Sequence, residues 1–271
     1  MTKDIASHYS QGTLGDVIES GLKITVGNDR AVTIDDLAPV DEFHIGGRPA
    51  SIHLFDQLNL TKDDLVLDIG AGIGGASRFV AKNYGCKVEG IDLTPEFCEV
   101  AGRLNDLVGL SERVNITEGS ALDMPYEDNS FSAAFMMHVG MNIEDKTALY
   151  KEIRRVLKPG GTFAIYDVLQ GPNTEELAFP VPWATVSESS FLATPEEMNE
   201  HLTSAGFTVE STADRTPFAK DFFAAIIPPK GGTPPPLGLH VIIGRDAPTK
   251  LKNMVTNIGA GLCGPWEFIA R

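Results

Sequence analysis

Apolar residues in the middle of the chain alternate between short continuous runs and helically spaced positions. The predicted strands are the short apolar or alternating segments 65–69, 87–91, 114–118, 131–137 and 162–168. Between them, apolar residues recur at helical spacing, for example from 76 to 84 and from 95 to 108. Alternation of this kind is typical of an α/β fold around a parallel sheet.

Segments with less regular patterns flank these elements. Before the sheet, we predict a helical cover with one or two short helices broken by Gly12 and Gly15, then a polar connection through Asp36. After the fifth strand, residues 170–193 lack periodicity and contain three prolines, as expected of a lid. A sixth strand begins at Phe207.

The last part of the chain is longer than a minimal α/β fold requires. We predict that residues 266–270 form a seventh strand, antiparallel to the sixth, with an insertion before it. The whole chain is then one domain with four parts: an N-terminal cover (1–60), an α/β core (61–214), an inserted cap (215–265) and a terminal strand (266–271).

The stretch 65–92, LVLDIGAGIGGASRFVAKNYGCKVEGID, predicts a strand, a glycine turn, a helix and a second strand. Glycines in such a turn let a ligand approach the backbone near the next helix. Asp92, at the carboxyl end of the second strand, is placed to accept hydrogen bonds from ribose hydroxyls. The spacing also fits a dinucleotide site, but the Asp68 carboxylate suits a cationic ligand and would repel a pyrophosphate.

These motifs, together with Gly119-Ser120-Ala121 and 157–161 (LKPGG), resemble the class I S-adenosylmethionine-dependent methyltransferases. The stretches DEFHIGG, GIDLTPEF, MNIEDK and FPVPWA resemble the small-molecule branch that includes sarcosine and dimethylglycine N-methyltransferases, phosphoethanolamine methyltransferases and quinone or tocopherol methyltransferases. The resemblance implies a Rossmann-like seven-stranded sheet and S-adenosylmethionine as cofactor, with S-adenosylhomocysteine as its product.

The same resemblance implies a set of cofactor-binding residues. They are Gly47, Arg48, Asp68, Gly70, Ala71, Gly72, Asp92, Leu93, Ser120, Ala121 and His138. Ser120 stands where the family usually has an aspartate at the adenine edge, which keeps a hydrogen-bonding side chain.

His138 follows the fourth strand, where open α/β sheets bind their ligands, and it is the first candidate for a catalytic base. Tyr9 is the second candidate. The predicted substrate-binding residues are His44, Asn142 and Trp183, since an aromatic side chain in the lid can close over an aliphatic or ammonium group.

Composition narrows the class of partner. A net charge of −15, without a long Lys or Arg run, argues against nucleic acid. Three scattered cysteines indicate neither disulfides nor a metal site, and the first residues show no apolar leader, so we expect a cytoplasmic protein without membrane insertion. A homodimer is possible.

We therefore expect methyl transfer to a small molecule, with an amine or amino-acid nitrogen favoured over carbon or oxygen of a quinone, phenol or other natural product. An NAD-dependent oxidoreductase using the same glycine turn and a non-catalytic cofactor-binding protein are the alternatives from other classes.

Overall fold

The computed structural model describes residues 12–226 and 234–271, and a seven-stranded sheet forms its centre. The strands are β1 (Leu65–Ile69), β2 (Lys87–Asp92), β3 (Val114–Glu118), β4 (Phe131–Met137), β5 (Leu157–Gln170), β6 (Val209–Asp214) and β7 (Cys263–Ala270). Their order is β3-β2-β1-β4-β5-β7-β6. β1 to β5 pair in parallel, whereas β7 is antiparallel to both neighbours. The predicted fold class is confirmed.

Helices cover both faces of the sheet. In chain order they are α1 (Leu14–Thr25), α2 (Ile34–Asp41), α3 (Gly47–Phe55), α4 (Gly75–Tyr84), α5 (Pro95–Leu107), α6 (Lys146–Val156), α7 (Pro195–Ser204), α8 (Thr216–Ile226), α9 (Leu239–Ile243) and α10 (Ala247–Gly259). Leu67 packs with α6 and α7, and its neighbour Val66 packs with α3 and α4. Because adjacent strand residues point to opposite faces, two core layers enclose the sheet.

The N-terminal cover differs from the prediction in two places. Gly15 lies inside α1, where its missing side chain leaves room for Arg103 of α5, so it does not break the helix. The predicted polar connection through Asp36 is in fact helix α2. Asp36 accepts a hydrogen bond from the backbone N–H of Thr33 at 2.9 Å in a capping box, which explains a polar residue at a helix start.

Two strands extend beyond their predicted ends. β5 begins at Leu157, and residues 158–161 bulge out of the ladder between the pairs Phe131–Leu157 and Ala133–Thr162. β7 begins at Cys263 rather than Trp266, because β5 continues to Gln170 and pairs with it. The domain boundaries at 60, 214 and 265 stay predictions.

The cap comes from α8, α9 and α10, and α9 was not predicted. Val241 and Ile242 of α9 pack against Leu14 and Ile18 of α1, so the insertion also contacts the N-terminal cover. None of the helices in the described parts of the chain is long and apolar enough to cross a membrane.

Candidate active site

A cavity of about 300 Å³ lies at the carboxyl ends of the first, second and fourth strands. This edge is where the strand order reverses between β1 and β4, the usual ligand position in open α/β sheets. Its lining includes these predicted cofactor residues: Asp68, Gly70, Ala71, Gly72, Asp92, Leu93, Ser120, Ala121 and His138. We call it the outer cavity. The structure therefore brings together most of the residues that the motifs indicated.

The glycine turn is held against the end of β2. The backbone N–H groups of Gly70 and Ala71 both donate to the carbonyl of Ile91, at 2.9 and 3.0 Å. Gly70 has a φ of 70°, and a side chain there would collide with Val139 of the loop after β4. A glycine is required at this position for both reasons.

Asp92 is fixed by backbone groups on both sides of the cavity. One carboxylate oxygen accepts the N–H of Gly72 at 2.7 Å, and the other accepts the N–H of Thr94 at 2.9 Å. Burial nevertheless raises the pKa of Asp92. Each oxygen has a further lone pair, so the carboxylate can accept two hydroxyl groups of a ligand as well.

The negative charge of Asp68 is stabilised by fewer hydrogen bonds than that of Asp92. Asp68 is 3% exposed and accepts a hydrogen bond from the Ser77 hydroxyl at 2.6 Å. Burial, with a smaller contribution from the nearby charge of Asp92, raises the pKa of Asp68 to about 7. A buried carboxylate of this kind is stabilised by a cationic partner, so the donor set fits a positively charged ligand.

His138 lines the outer cavity, but both of its ring nitrogens are engaged. Nδ1 donates to the carbonyl of Tyr166 at 3.0 Å, and Nε2 accepts the backbone N–H of Ile45 at 3.1 Å. Burial lowers the pKa of His138 to about 3. With its lone pair occupied, the neutral ring is unsuited to the predicted role of catalytic base, and it instead connects β4 to the N-terminal cover.

His44 lies beside His138, with ring centroids 6.3 Å apart. Its Nε2 is 3.1 Å from the carbonyl of Gly47, which fixes the proton on Nε2 and leaves Nδ1 unprotonated. Burial lowers the pKa of His44 to about 4. His44 is therefore a neutral hydrogen-bond acceptor at the cavity wall, where substrate binding was predicted.

Two predicted cofactor residues lie elsewhere. Arg48 pairs with Glu42, with Nε 2.7 Å from a carboxylate oxygen, and its guanidinium lies 4.7 Å from the Phe79 ring centroid. Neither Arg48 nor Gly47 is among the described residues that line the cavity, so the predicted carboxylate contact is not supported. Tyr9 lies outside the described residues.

Asn142 and Trp183 connect the loop after β4 with the lid. Asn142 lines the outer cavity, and its Nδ2 donates to the carbonyl of Trp183 at 2.8 Å. The Trp183 indole N–H donates to the Ser190 hydroxyl at 2.9 Å, and the side chain is 3% exposed. Trp183 lines a second, smaller cavity of about 60 Å³, which we call the inner cavity.

Several lining residues were missed from sequence. Phe43, Phe97 and Ile242 line the outer cavity, and Asp41 borders it while pairing with the buried Arg78. Phe43 is part of the quoted stretch DEFHIGG, and Ile242 belongs to a short apolar run in a segment rich in glycine and proline. That run could have indicated α9.

Among the residues with described positions, no group of three or more His, Cys, Asp or Glu side chains could hold a metal ion.

Comparison with known proteins shows what the domain around this site is similar to. Residues 67–165 match the family model described as "Methyltransferase domain". The chain is 35% identical over 118 residues to the sterol 4-C-methyltransferase strm-1 of Caenorhabditis elegans, covering 44% of this chain and 35% of that protein. It is 31% identical over 172 residues to phosphoethanolamine N-methyltransferase 1 of Arabidopsis thaliana, covering 63% and 34%.

The matches to these curated relatives thus span about a third of the length of each. A solved structure of geranyl diphosphate C-methyltransferase from Streptomyces coelicolor A3(2) superposes with a TM-score of 0.72 at 17% identity, covering 99% of this chain and 96% of that one. At that identity the likeness shows the fold. Residues 67–165 are therefore similar to a methyltransferase domain, and the chain shares the fold of the geranyl diphosphate C-methyltransferase.

Proposed function

We propose that this chain transfers a methyl group from S-adenosylmethionine to a small-molecule acceptor. The observation that carries the proposal is the pair of carboxylates at the glycine turn, Asp68 and Asp92, in one cavity within the matched domain. Bound S-adenosylmethionine would supply an electrophilic methyl group on a positively charged sulfur. Its ammonium group complements Asp68, and its ribose hydroxyls complement Asp92.

The chain's own residues would act by binding and orientation. Ser120 and Ala121 line the side of the cavity where the resemblance places the adenine, and His138 holds the loop after β4 in place. Holding two reactants in line within a dry site supplies roughly 7 to 11 kcal/mol of the barrier in favourable systems. No covalent intermediate and no metal is required of these residues.

An NAD-dependent oxidoreductase fits the same residues less well. A pyrophosphate near the glycine turn would meet Asp68 and Asp92, and no Lys or Arg is among the described residues that line the outer cavity. Repulsion between like charges disfavours that ligand.

The atom that receives the methyl group was predicted to be an amine nitrogen, with carbon or oxygen as alternatives. Curated relatives include both N- and C-methyltransferases, so similarity leaves the choice open. The absence of a free base at His138 favours an acceptor that has no ammonium proton to lose. A homodimer and a cytoplasmic location remain part of the proposal.

A labelled-methyl assay tests the proposed function. The purified chain is incubated with S-adenosylmethionine carrying an isotopic methyl group and a library of amines, phenols, quinones and isoprenoid alcohols, and products are identified by mass spectrometry. We expect label in at least one acceptor, with none above background for Asp92→Ala. Reduction of NAD⁺ by a library member, without any methylated product, would contradict the proposal.

A further inference from the structure

The inner cavity lies beneath the cap, away from the glycine turn. Its lining is apolar apart from two histidines, and it comes from the cover, the sheet, the lid and the cap. The described lining residues are Phe43, His44, Ile45, His138, Met141, Val168, Pro182, Trp183, Phe222, Phe223, Leu239, Ile243, Leu251 and Met254. Among them there is no Lys, Arg, Asp or Glu.

The two cavities meet at shared walls. Phe43, His44 and His138 line both the outer and the inner cavity. A molecule in the inner cavity therefore lies next to whatever occupies the outer cavity near His138. This is the position required of a methyl acceptor, because the reacting atoms must approach each other directly.

The polar groups of the inner cavity carry no charge at neutral pH. His44 is buried and His138 is partly buried, and this burial lowers the pKa of His138 to about 3 and that of His44 to about 4. His138 has no free nitrogen, while no described residue hydrogen-bonds Nδ1 of His44. Nδ1 of His44 is thus a hydrogen-bond acceptor in the lining of this cavity.

A charged acceptor would find no counterion in this cavity. A carboxylate or phosphate would be buried without a cation, since neither cavity has a Lys or Arg among its described lining residues. An ammonium group would face aromatic rings but no carboxylate within the inner cavity. Apolar surface, in contrast, is favourably buried there.

The size of the inner cavity limits the buried group. A molecule the size of water needs about 10 to 15 Å³ of such a cavity. The inner cavity of about 60 Å³ therefore has room for roughly four to six non-hydrogen atoms. A branched five-carbon unit or a phenyl ring has about this size. Trp183, fixed by Ser190 and by the contact of its carbonyl with Asn142, forms a rigid part of the wall.

We propose that the methyl acceptor is an uncharged molecule whose hydrocarbon or aryl end binds in the inner cavity, with a hydroxyl group within reach of His44. The proposal rests on the function proposed above and names the acceptor class for the same site. It favours oxygen or carbon as the methylated atom over the nitrogen of an amino acid.

Binding of a charge-matched series tests this class directly. Trp183 is the fluorescent reporter in a Trp266→Phe background, because the chain contains two tryptophans. Geraniol, geranylamine and geranic acid share one hydrocarbon and differ in charge, and sarcosine and phosphoethanolamine represent small polar acceptors. Each is titrated with S-adenosylhomocysteine present, and Trp183 emission is recorded.

We expect a saturable change with geraniol, with an affinity at least about tenfold tighter than for geranylamine or geranic acid, and none with the small polar acceptors. Leu251→Phe should weaken geraniol binding about tenfold by filling the cavity. Thr256→Phe adds the same ring on the exposed face of the same helix, and it should leave the affinity within about twofold.

Tighter binding of geranylamine or geranic acid than of geraniol would overturn the proposal, as would saturable binding of sarcosine or phosphoethanolamine. Equal weakening by Leu251→Phe and Thr256→Phe would also overturn it, because the site would then not be the inner cavity. A separate titration with S-adenosylhomocysteine alone distinguishes an error in the acceptor class from an error in the proposed function. If S-adenosylhomocysteine does not bind, the proposed function itself is contradicted.

Discussion

Asp68 and Asp92, the two carboxylates at the glycine turn, differ in how the protein stabilises their charge. Asp92 accepts hydrogen bonds from two backbone N–H groups, whereas Asp68 accepts one from the Ser77 side chain. Hydrogen bonds to the ionised form favour that form, and burial opposes it. The ionised form of Asp68 therefore favours a cationic ligand, but it destabilises the ligand-free protein.

Substitution of Asp68 by asparagine should remove this destabilisation and its dependence on pH. The folded-state pKa of Asp68, about 7, lies above that of an unfolded chain. The native state thus holds an extra proton between these two values, and ionisation destabilises it progressively as the pH rises toward 7. Relative to the wild type, Asp68→Asn should gain about 2 kcal/mol of unfolding free energy between pH 5 and pH 8.

Urea denaturation of the ligand-free proteins at both pH values measures this difference. Asp63→Asn serves as the control, since that carboxylate is exposed at the surface. If the stability difference between Asp68→Asn and wild type does not depend on pH, the pKa of Asp68 is not raised in the folded protein.

His138→Asn tests whether the histidine positions the loop or takes a proton. His138 has a φ of 57°, a region that asparagine tolerates better than most residues. We expect methyl transfer by His138→Asn within about tenfold of wild type, with an unchanged shape of the rate against pH. If the pH profile of the methyl-transfer rate loses one limb in this variant, the histidine acts as a catalytic base.

The sequence indicated which residues meet at the outer cavity better than it indicated the histidine's role. Asp68, Gly70, Gly72 and Asp92 belong to one continuous unit of strand, turn, helix and strand, so local pattern decides their positions. The partner of His138 is the backbone N–H of Ile45, 93 residues away, and no local pattern indicates such a contact.

At the level of elements, the N-terminal cover is joined to the core by a buried ion pair. Asp41, the last residue of α2, pairs with Arg78 of α4, whose side chain is fully buried. Arg78 also donates to Asn105 of α5 at 3.0 Å. Because Asp41 borders the outer cavity, this pair fixes the end of α2 at the cavity wall.

Arg78→Met should therefore destabilise the protein by about 3 to 5 kcal/mol, since Asp41 would remain buried without its partner. In the double variant Asp41→Leu/Arg78→Met, most of that loss should be recovered. Chemical denaturation of wild type, Arg78→Met, Asp41→Leu and the double variant gives the coupling free energy. A double variant less stable than Arg78→Met would contradict this role of the pair.

Element positions followed from hydrophobic periodicity wherever strand and helix alternate, and the predictions for β1, β3 and β4 are confirmed. The errors fall where side chains act through specific contacts. Asp36 belongs to a capping box, and Gly15 accommodates Arg103 of another helix. Composition alone assigns such polar and glycine residues to loops.

For the whole molecule, the seven-stranded sheet was predictable and the inner cavity was not. The sheet follows from the alternation of strands and helices and from the family motifs. The inner cavity forms only when cover, sheet, lid and cap come together, so its lining is dispersed from Phe43 to Met254. Its apolar character nevertheless changes the expected acceptor from an amino acid to an uncharged hydrocarbon derivative.

The most direct test of the account compares the two cofactor classes by calorimetric titration of the ligand-free protein. We predict that S-adenosylhomocysteine binds one site per chain and raises the melting temperature, since a ligand at about 100 times its Kd stabilises by about 2.7 kcal/mol. NADH should give neither heat nor stabilisation, and Asp92→Ala should lose the response to S-adenosylhomocysteine. Saturable binding of NADH, with no binding of S-adenosylhomocysteine, would contradict the account.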